Sequence, residues 1–146
     1  MLIAGVVLVI LLADQVSKYL VQIFLSPGET VPVIQNIFHF TYVQNPGAAF
    51  GILAHRTYFF IVMALLVILL IVIFFRQIDH RHLYLRLGLA LALGGALGNL
   101  VDRLRFGHVI DFLDFRFWPV FNLADTAIVV GVGLLCWEIL RSPESW

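Results

Sequence analysis

Three carboxylates stand in a stretch that is otherwise almost wholly apolar: Asp111, Asp114 and Asp125 in FGHVIDFLDFRFWPVFNLADTAIVVG, residues 106–131. Asp111 lies in HVIDF, whose β-branched and aromatic residues suit an extended strand. Asp125 lies in FNLAD, where a long apolar run begins. Two carboxylates brought together from a loop and a helix start are the equipment of an aspartic protease. Close like charges cannot both ionise easily, so they share a proton. The ionised member can then activate water while the protonated one donates to the scissile carbonyl. Plainer explanations exist for each residue. With Asn122 as N-cap, Asp125 falls at N3, where a carboxylate favours the helix start, and Asp111 and Asp114 would suit a solvated loop. Residue types alone leave open which of the two pairs with Asp125.

Other polar residues interrupt apolar segments. Asp14 and Lys18 are four apart on one helix face, a spacing that suits an ion pair and a structural anchor more than direct chemistry. In GGALGNLVDRLRFG, Asn99, Asp102 and Arg103 share one face at a helix end, where a scaffolding network is the favoured role. Gly94 and Gly98, with Ala90 before them, form a small-residue stripe that admits a neighbouring helix. Rival chemistries lack parts. Glu29, Glu138 and Glu144 have no HExxH histidines for a zinc protease. His80 and His82 lie in a basic connection, and His108 with Asp111 makes a poor metal set. Ser17, Ser26, Ser142 and Ser145 have no evident histidine partner. No metal and no cofactor is expected.

These residues must be held by membrane-spanning elements. The chain is 62% hydrophobic and only 12% charged, too apolar for a soluble domain, so its 146 residues read as one polytopic membrane domain. A formal net charge of zero speaks against a nucleic-acid partner. Four helical spans are expected at about 2–25, 58–75, 83–101 and 120–140. The first carries no basic residue before Lys18 and reads as a retained span rather than a signal peptide. Cys136 reads as a small buried packing residue.

Between the first two spans, about residues 27–56 read as a β-rich insert at one membrane surface, with a short strand pair near Ile37–Val43. Arg76, Arg81 and Arg86 favour a cytoplasmic connection between spans two and three. Both termini would then lie inside, and the insert and the aspartate-rich loop would share the outer face.

Five motifs occur in order: DQVSK (14–18), NPGAAFG (45–51), GGALGNLVDR (94–103), VIDF (109–112) and FNLAD (121–125). Through them the chain closely resembles lipoprotein signal peptidase, the type II signal peptidase family of bacteria, over nearly its whole length. The resemblance implies an α-helical polytopic fold with four transmembrane helices and a small extracytoplasmic β-cradle. It implies an aspartic endopeptidase of the cytoplasmic (inner) membrane that removes the signal peptide from diacylglyceryl-modified prolipoproteins, cutting before the lipidated cysteine. Asp111 and Asp125 match the family's catalytic pair, and Asp114 falls outside it. Asn45, Gly47, Asn99, Asp102, Arg103 and Asn122 match positions supporting the active site, and Asp14 and Lys18 match its first motif. Membrane lipid and globomycin-like cyclic peptide inhibitors are the further implied partners. Family members usually carry a polar, often basic tail before the first span, whereas this chain is apolar from Met1 onward. The rival class is a small proton-coupled transporter or channel. It would usually show an internal repeat or polar residues midway along its spans, whereas this chain shows no convincing repeat and its polar groups cluster toward one side.

Overall fold

Long apolar runs in lipid must close their backbone hydrogen bonds within themselves, which selects helices. The computed structural model describes residues 2–47 and 56–141. It contains α1 (Leu2–Phe24), α2 (Thr57–Gln77), α3 (Leu83–Phe106) and α4 (Leu123–Arg141), each long and apolar enough to cross a membrane. Three strands accompany them: β1 (Thr30–Ile34), β2 (Phe38–Asn45) and β3 (Val109–Asp114).

Two helix boundaries differ from the sequence reading, each for a local reason. α3 continues past Val101 to Phe106, because its last turns bury Asp102 against protein. It stops at Gly107, whose φ of 76° is open to glycine and whose N–H reaches Arg103 O at 3.0 Å. α4 starts at Leu123 rather than near Val120, because Phe121 is still extended and bridges to Leu113.

The sheet is antiparallel in the order β1-β2-β3. The hairpin turns at Asn36, with φ 63°, so Ile37 lies in the turn and not in a strand. Its third strand comes from beyond the insert. β3 pairs with β2 through Asn45 opposite Val109, Val43 opposite Asp111 and His39 opposite Asp114, with a register shift between Phe40 and Val43. This pairing brings the insert and the aspartate-rich loop together at one end of the helix bundle. The arginine-bearing connection between α2 and α3 lies at the other end. The later part of the insert, with residues 48–51 of NPGAAFG, falls outside the described residues.

α3 is the central helix and packs against α1, α2 and α4. Its small residues make this possible. A β-carbon at Gly94 would stand 2.9 Å from Ile10 Cβ, and one at Gly98 2.5 Å from Asp14 Oδ2, so the expected stripe receives α1. Under the sheet, Val21, Tyr42, Ile110 and Phe112 form a buried apolar cluster. α2 has only Ile71 buried; Phe60, Ile61, Ile68 and Phe75 are half-buried, and most of its other aliphatic and aromatic side chains are exposed. Cys136 is exposed, contrary to expectation. The buried line of α4 runs through Ala124, Ala127, Gly131 and Glu138, and Cys136 lies off it.

Candidate active site

The first layer of the site is a buried ionic knot. Lys18 Nζ lies 2.8 Å from both Asp14 Oδ2 and Asp102 Oδ2, and none of the three side chains is more than 1% exposed. Gln15 donates to Asp102 Oδ1 at 2.9 Å and to Asp14 Oδ2 at 3.2 Å. The backbone N–H of Ala124, in the first turn of α4, donates to Asp14 Oδ1 at 2.9 Å. That of Ile110, in β3, donates to Asp102 Oδ2 at 3.1 Å. One lysine and two carboxylates thus tie α1, α3, α4 and β3 together. Breaking such a buried set by removing one partner costs roughly 3–5 kcal/mol.

A second layer of amides carries this knot to Asp111 and Asp125. Lys18 donates to Asn99 Oδ1 at 3.0 Å, and Asn99 Nδ2 donates to Asp125 Oδ1 at 2.7 Å. Asn122 Nδ2 donates to Asp111 Oδ1 at 2.7 Å and to Asn99 Oδ1 at 3.1 Å. Asn45 Nδ2 donates to the other oxygen of Asp111 at 2.9 Å. Asn122 is also the cap of α4. The N–H of Asp125 donates to Asn122 Oδ1 at 2.9 Å, and that of Asn122 donates to Asp125 Oδ2 at 3.4 Å, a reciprocal box. The structural explanation for Asp125 therefore holds, and its Oδ1 still faces Asn99.

Both carboxylates line one cleft of about 360 Å³, together with Asn45, Gly47, Asn99 and Arg103. Phe60 and Trp118 supply aromatic walls. Arg103 spans the side facing α2: its guanidinium donates to Gly47 O at 3.3 Å and sits 5.0 Å over the Phe60 ring. The triplet read as one network therefore divides. Asn99 and Asp102 turn toward Lys18, and Arg103 turns toward Gly47 and α2.

Asp111 is 2% exposed. Burial, helped by the neighbouring Asp125 charge, pushes its carboxyl up to about 7, and the amides of Asn45 and Asn122 offset only part of this. Asp114, on the same strand, is 5% exposed. Burial raises its carboxyl, but Thr41 Oγ1 at 2.7 Å and the N–H and guanidinium of Arg116, each at 2.8 Å, outweigh that and hold it below the ordinary range.

Every site residue named from the sequence is among the described residues and lies in the knot, the amide layer or the cleft. Sequence reasoning missed Gln15, Phe60 and Trp118. Gln15 had a signal, as a polar residue inside the first span beside Asp14. The two aromatics had none, because they stand among many other apolar residues.

Four membrane-length helices around two buried, amide-held carboxylates define a polytopic membrane protein with an acidic site. The family model of signal peptidase (SPase) II matches residues 6–141. The lipoprotein signal peptidase of Moorella thermoacetica is 56% identical, over 91% of this chain and 89% of that one. That of Pelotomaculum thermopropionicum is 48% identical, over 95% and 91%. A bacterial membrane enzyme solved by the in meso method at 2.3 Å superposes with a TM-score of 0.92 at 30% identity, covering 97% of this chain and 89% of that one. A second, at 1.9 Å, gives 0.87 at 31% identity, covering 95% and 92%. The chain belongs to the signal peptidase II family and is a multi-pass membrane enzyme.

Proposed function

We propose that the chain is a single membrane-embedded aspartic endopeptidase that removes the signal peptide from diacylglyceryl-modified bacterial prolipoproteins, cutting before the lipidated cysteine. The observation that carries this reading is the placement of Asp111 and Asp125. They come from different elements, border one cleft, and are held by neutral amides while the buried lysine is committed elsewhere.

The chemistry follows from that placement. Asp111, raised to about 7, is the proton-holding member near neutral pH. Asp125, at the start of α4, sits where the helix dipole favours an anion. Asp125 takes a proton from water as the water oxygen attacks the scissile carbonyl carbon, and Asp111 donates its proton to the carbonyl oxygen. Collapse of the gem-diol returns that proton to Asp111, the amide nitrogen takes the proton held by Asp125, and the C–N bond breaks. Asn45 and Asn122 fix Asp111, Asn99 fixes Asp125, and Arg103 with Gly47 forms the facing wall. Asp14, Lys18 and Asp102 set the elements from which both carboxylates project.

The cleft lies at the end of the bundle opposite Arg76, Arg81 and Arg86, which the positive-inside bias assigns to the cytoplasm. This supports a site at the outer face of the bacterial inner membrane, where a globomycin-like cyclic peptide would compete by blocking the two carboxylates. Lipidation tethers the substrate at that depth, each buried methylene contributing about 0.8 kcal/mol to membrane partition. The test is cleavage of one preprotein in lipidated and unlipidated forms by purified protein in bilayer discs. Cleavage of the lipidated form alone is expected. Equal cleavage of both, or of neither, refutes the reading.

A further inference from the structure

Among the described residues, apolar grooves flank the bundle at three places, and they differ in what they adjoin. One of about 730 Å³, lined by Phe74, Leu85, Leu89 and Ile139, lies at the end away from the carboxylates. A second, of about 450 Å³, lies between α1 and the sheet, against Leu20, Val31 and Phe112. The third, also about 450 Å³, runs between the 115–121 loop and the outer face of α4, and it includes Asp125 in its lining. Among these it alone adjoins the cleft, sharing Trp118, Phe121 and Asp125 with it.

We propose that this third groove is the subsite that receives one acyl chain of the substrate's diacylglyceryl group. The assignment rests on the peptidase reading given above. The lipid-bearing cysteine follows the scissile bond directly, so its thioether must lie beside the two carboxylates. From Asp125 the groove passes Val129 and Val130, roughly one turn or about 6 Å along α4, toward the hydrocarbon. Its walls are Phe115, Phe117 and Trp118 on one side and valines on the other, a lining suited to hydrocarbon. The volume falls in the small-ligand class of about 300–1,000 Å³.

The groove is built as well as open. Phe115 stacks on Phe121 with ring centroids 5.9 Å apart and also contacts Phe38 at 4.9 Å. Arg116, at φ 69°, is pinned to Asp114 by its backbone N–H and its guanidinium. This gives Asp114 a role outside the carboxylate pair: it holds the loop that forms the groove wall. Lipid tails are as apolar as the lining, so an acyl chain gains little affinity by entering. What it gains is register, which sets how the peptide bond meets the carboxylates.

Val129 and Val130 are 71% and 50% exposed and touch none of the polar network, so Val129→Trp and Val130→Trp fill the groove without disturbing it. Each variant is assayed on one preprotein carrying dipalmitoylglyceryl or dibutanoylglyceryl, with a melting curve for each. The tryptophan variants are expected to cut the dipalmitoyl form at least about tenfold more slowly in kcat/KM, with the dibutanoyl form within about twofold of wild type. An unchanged ratio between the two substrates overturns the assignment. If both rates stay at the wild-type value, the chains run in bulk lipid; if both fall together, another part of the substrate uses the groove. Should a tryptophan variant fail to fold, Val130→Ala enlarges the groove and is expected to favour methyl-branched acyl chains over palmitoyl, and an unchanged preference overturns the assignment equally. Wild-type protein that cuts no lipidated substrate removes the peptidase reading itself, whereas wild-type cleavage with an unchanged ratio removes only the groove.

Discussion

Asp111 and Asp114 stand three residues apart on one short strand, both almost fully buried, and their surroundings give them opposite characters. Residues three apart in a strand point to opposite faces. Asp111 meets the side-chain amides of Asn45 and Asn122 and the charge of Asp125. Asp114 meets a threonine hydroxyl and a guanidinium. Neutral donors hold a carboxylate in place without neutralising it, whereas a cation commits it to the ionised form. Asp111 also lies deeper in the protein than Asp114, so desolvation and the absence of a contacting cation act together on it. The buried Lys18 is kept away from direct contact by Asp14 and Asp102, which occupy it, and it reaches the pair only through Asn99.

The strongest way to break the comparison is to remove the two kinds of carboxylate. Asp111→Asn and Asp125→Asn are each expected to lower turnover of a lipidated substrate by at least about 10²–10⁴-fold, the share that positioned acid–base groups supply. Both should still fold, since an amide keeps the shape, with a loss of about 1–3 kcal/mol because its nitrogen replaces an oxygen that accepted a hydrogen bond. Asp114→Asn should keep turnover within about tenfold, because a neutral amide still accepts from Thr41 and the Arg116 backbone. An inactive but well-folded Asp114→Asn would place the wrong residue in the pair.

Lys18→Met tests whether the lysine belongs to the scaffold. It leaves Asp14 and Asp102 buried together without their cation, and a loss of roughly 3–5 kcal/mol in unfolding stability is expected. Chemical denaturation in detergent measures it. A stability near that of wild type would mean the knot contributes little, and that Lys18 is there for the chemistry.

The pH profile sharpens the contrast. With Asp111 at about 7, the singly protonated pair is lost as pH rises through that value, so kcat/KM should fall on the alkaline side. Stability follows the same sign. A carboxyl raised above its unfolded value of 3.8 stabilises the fold fully below that value, and the contribution is lost as pH climbs through about 7. Asp111→Asn should flatten that decline in melting temperature. Asp125→Asn, by removing the neighbouring charge, should move the remaining titration of Asp111 downward, as a carbon-13 carboxyl signal would show. A decline in wild-type melting temperature that Asp111→Asn leaves unchanged would assign it to another group.

The smallest effect is expected at the partner of Asp114. Arg116 is half-exposed, so Arg116→Ala should cost no more than about 1 kcal/mol in stability. Its mark should instead be a weakened preference for long-chain substrate, through a loosened groove wall. A loss of several kcal/mol would show that the two ends of the strand are less different than their partners imply.

Some of this was legible without any structure. The four spans are a matter of composition, since runs of about twenty apolar residues have few alternatives in lipid. The first two were read nearly to the residue, and the cap at Asn122 followed from local spacing. Polar residues inside apolar runs, Asp14, Lys18, Asn99 and Asp102, announced themselves because such groups must find partners. What local spacing did not carry was the choice of partner. Asp102 turned from its neighbour Arg103 to Lys18, eighty-four positions away, since only packing of α1 against α3 creates that contact. The third strand of the sheet, the aromatic walls at Phe60 and Trp118 and the outward position of Cys136 depend on which helix faces meet. The same holds for the carboxylates. By residue type Asp111 and Asp114 were equal candidates, and the motif resemblance favoured Asp111. Their physical difference came from strand register and cross-chain donors, because a carboxyl's environment is set by whatever the fold brings within about 3 Å of it.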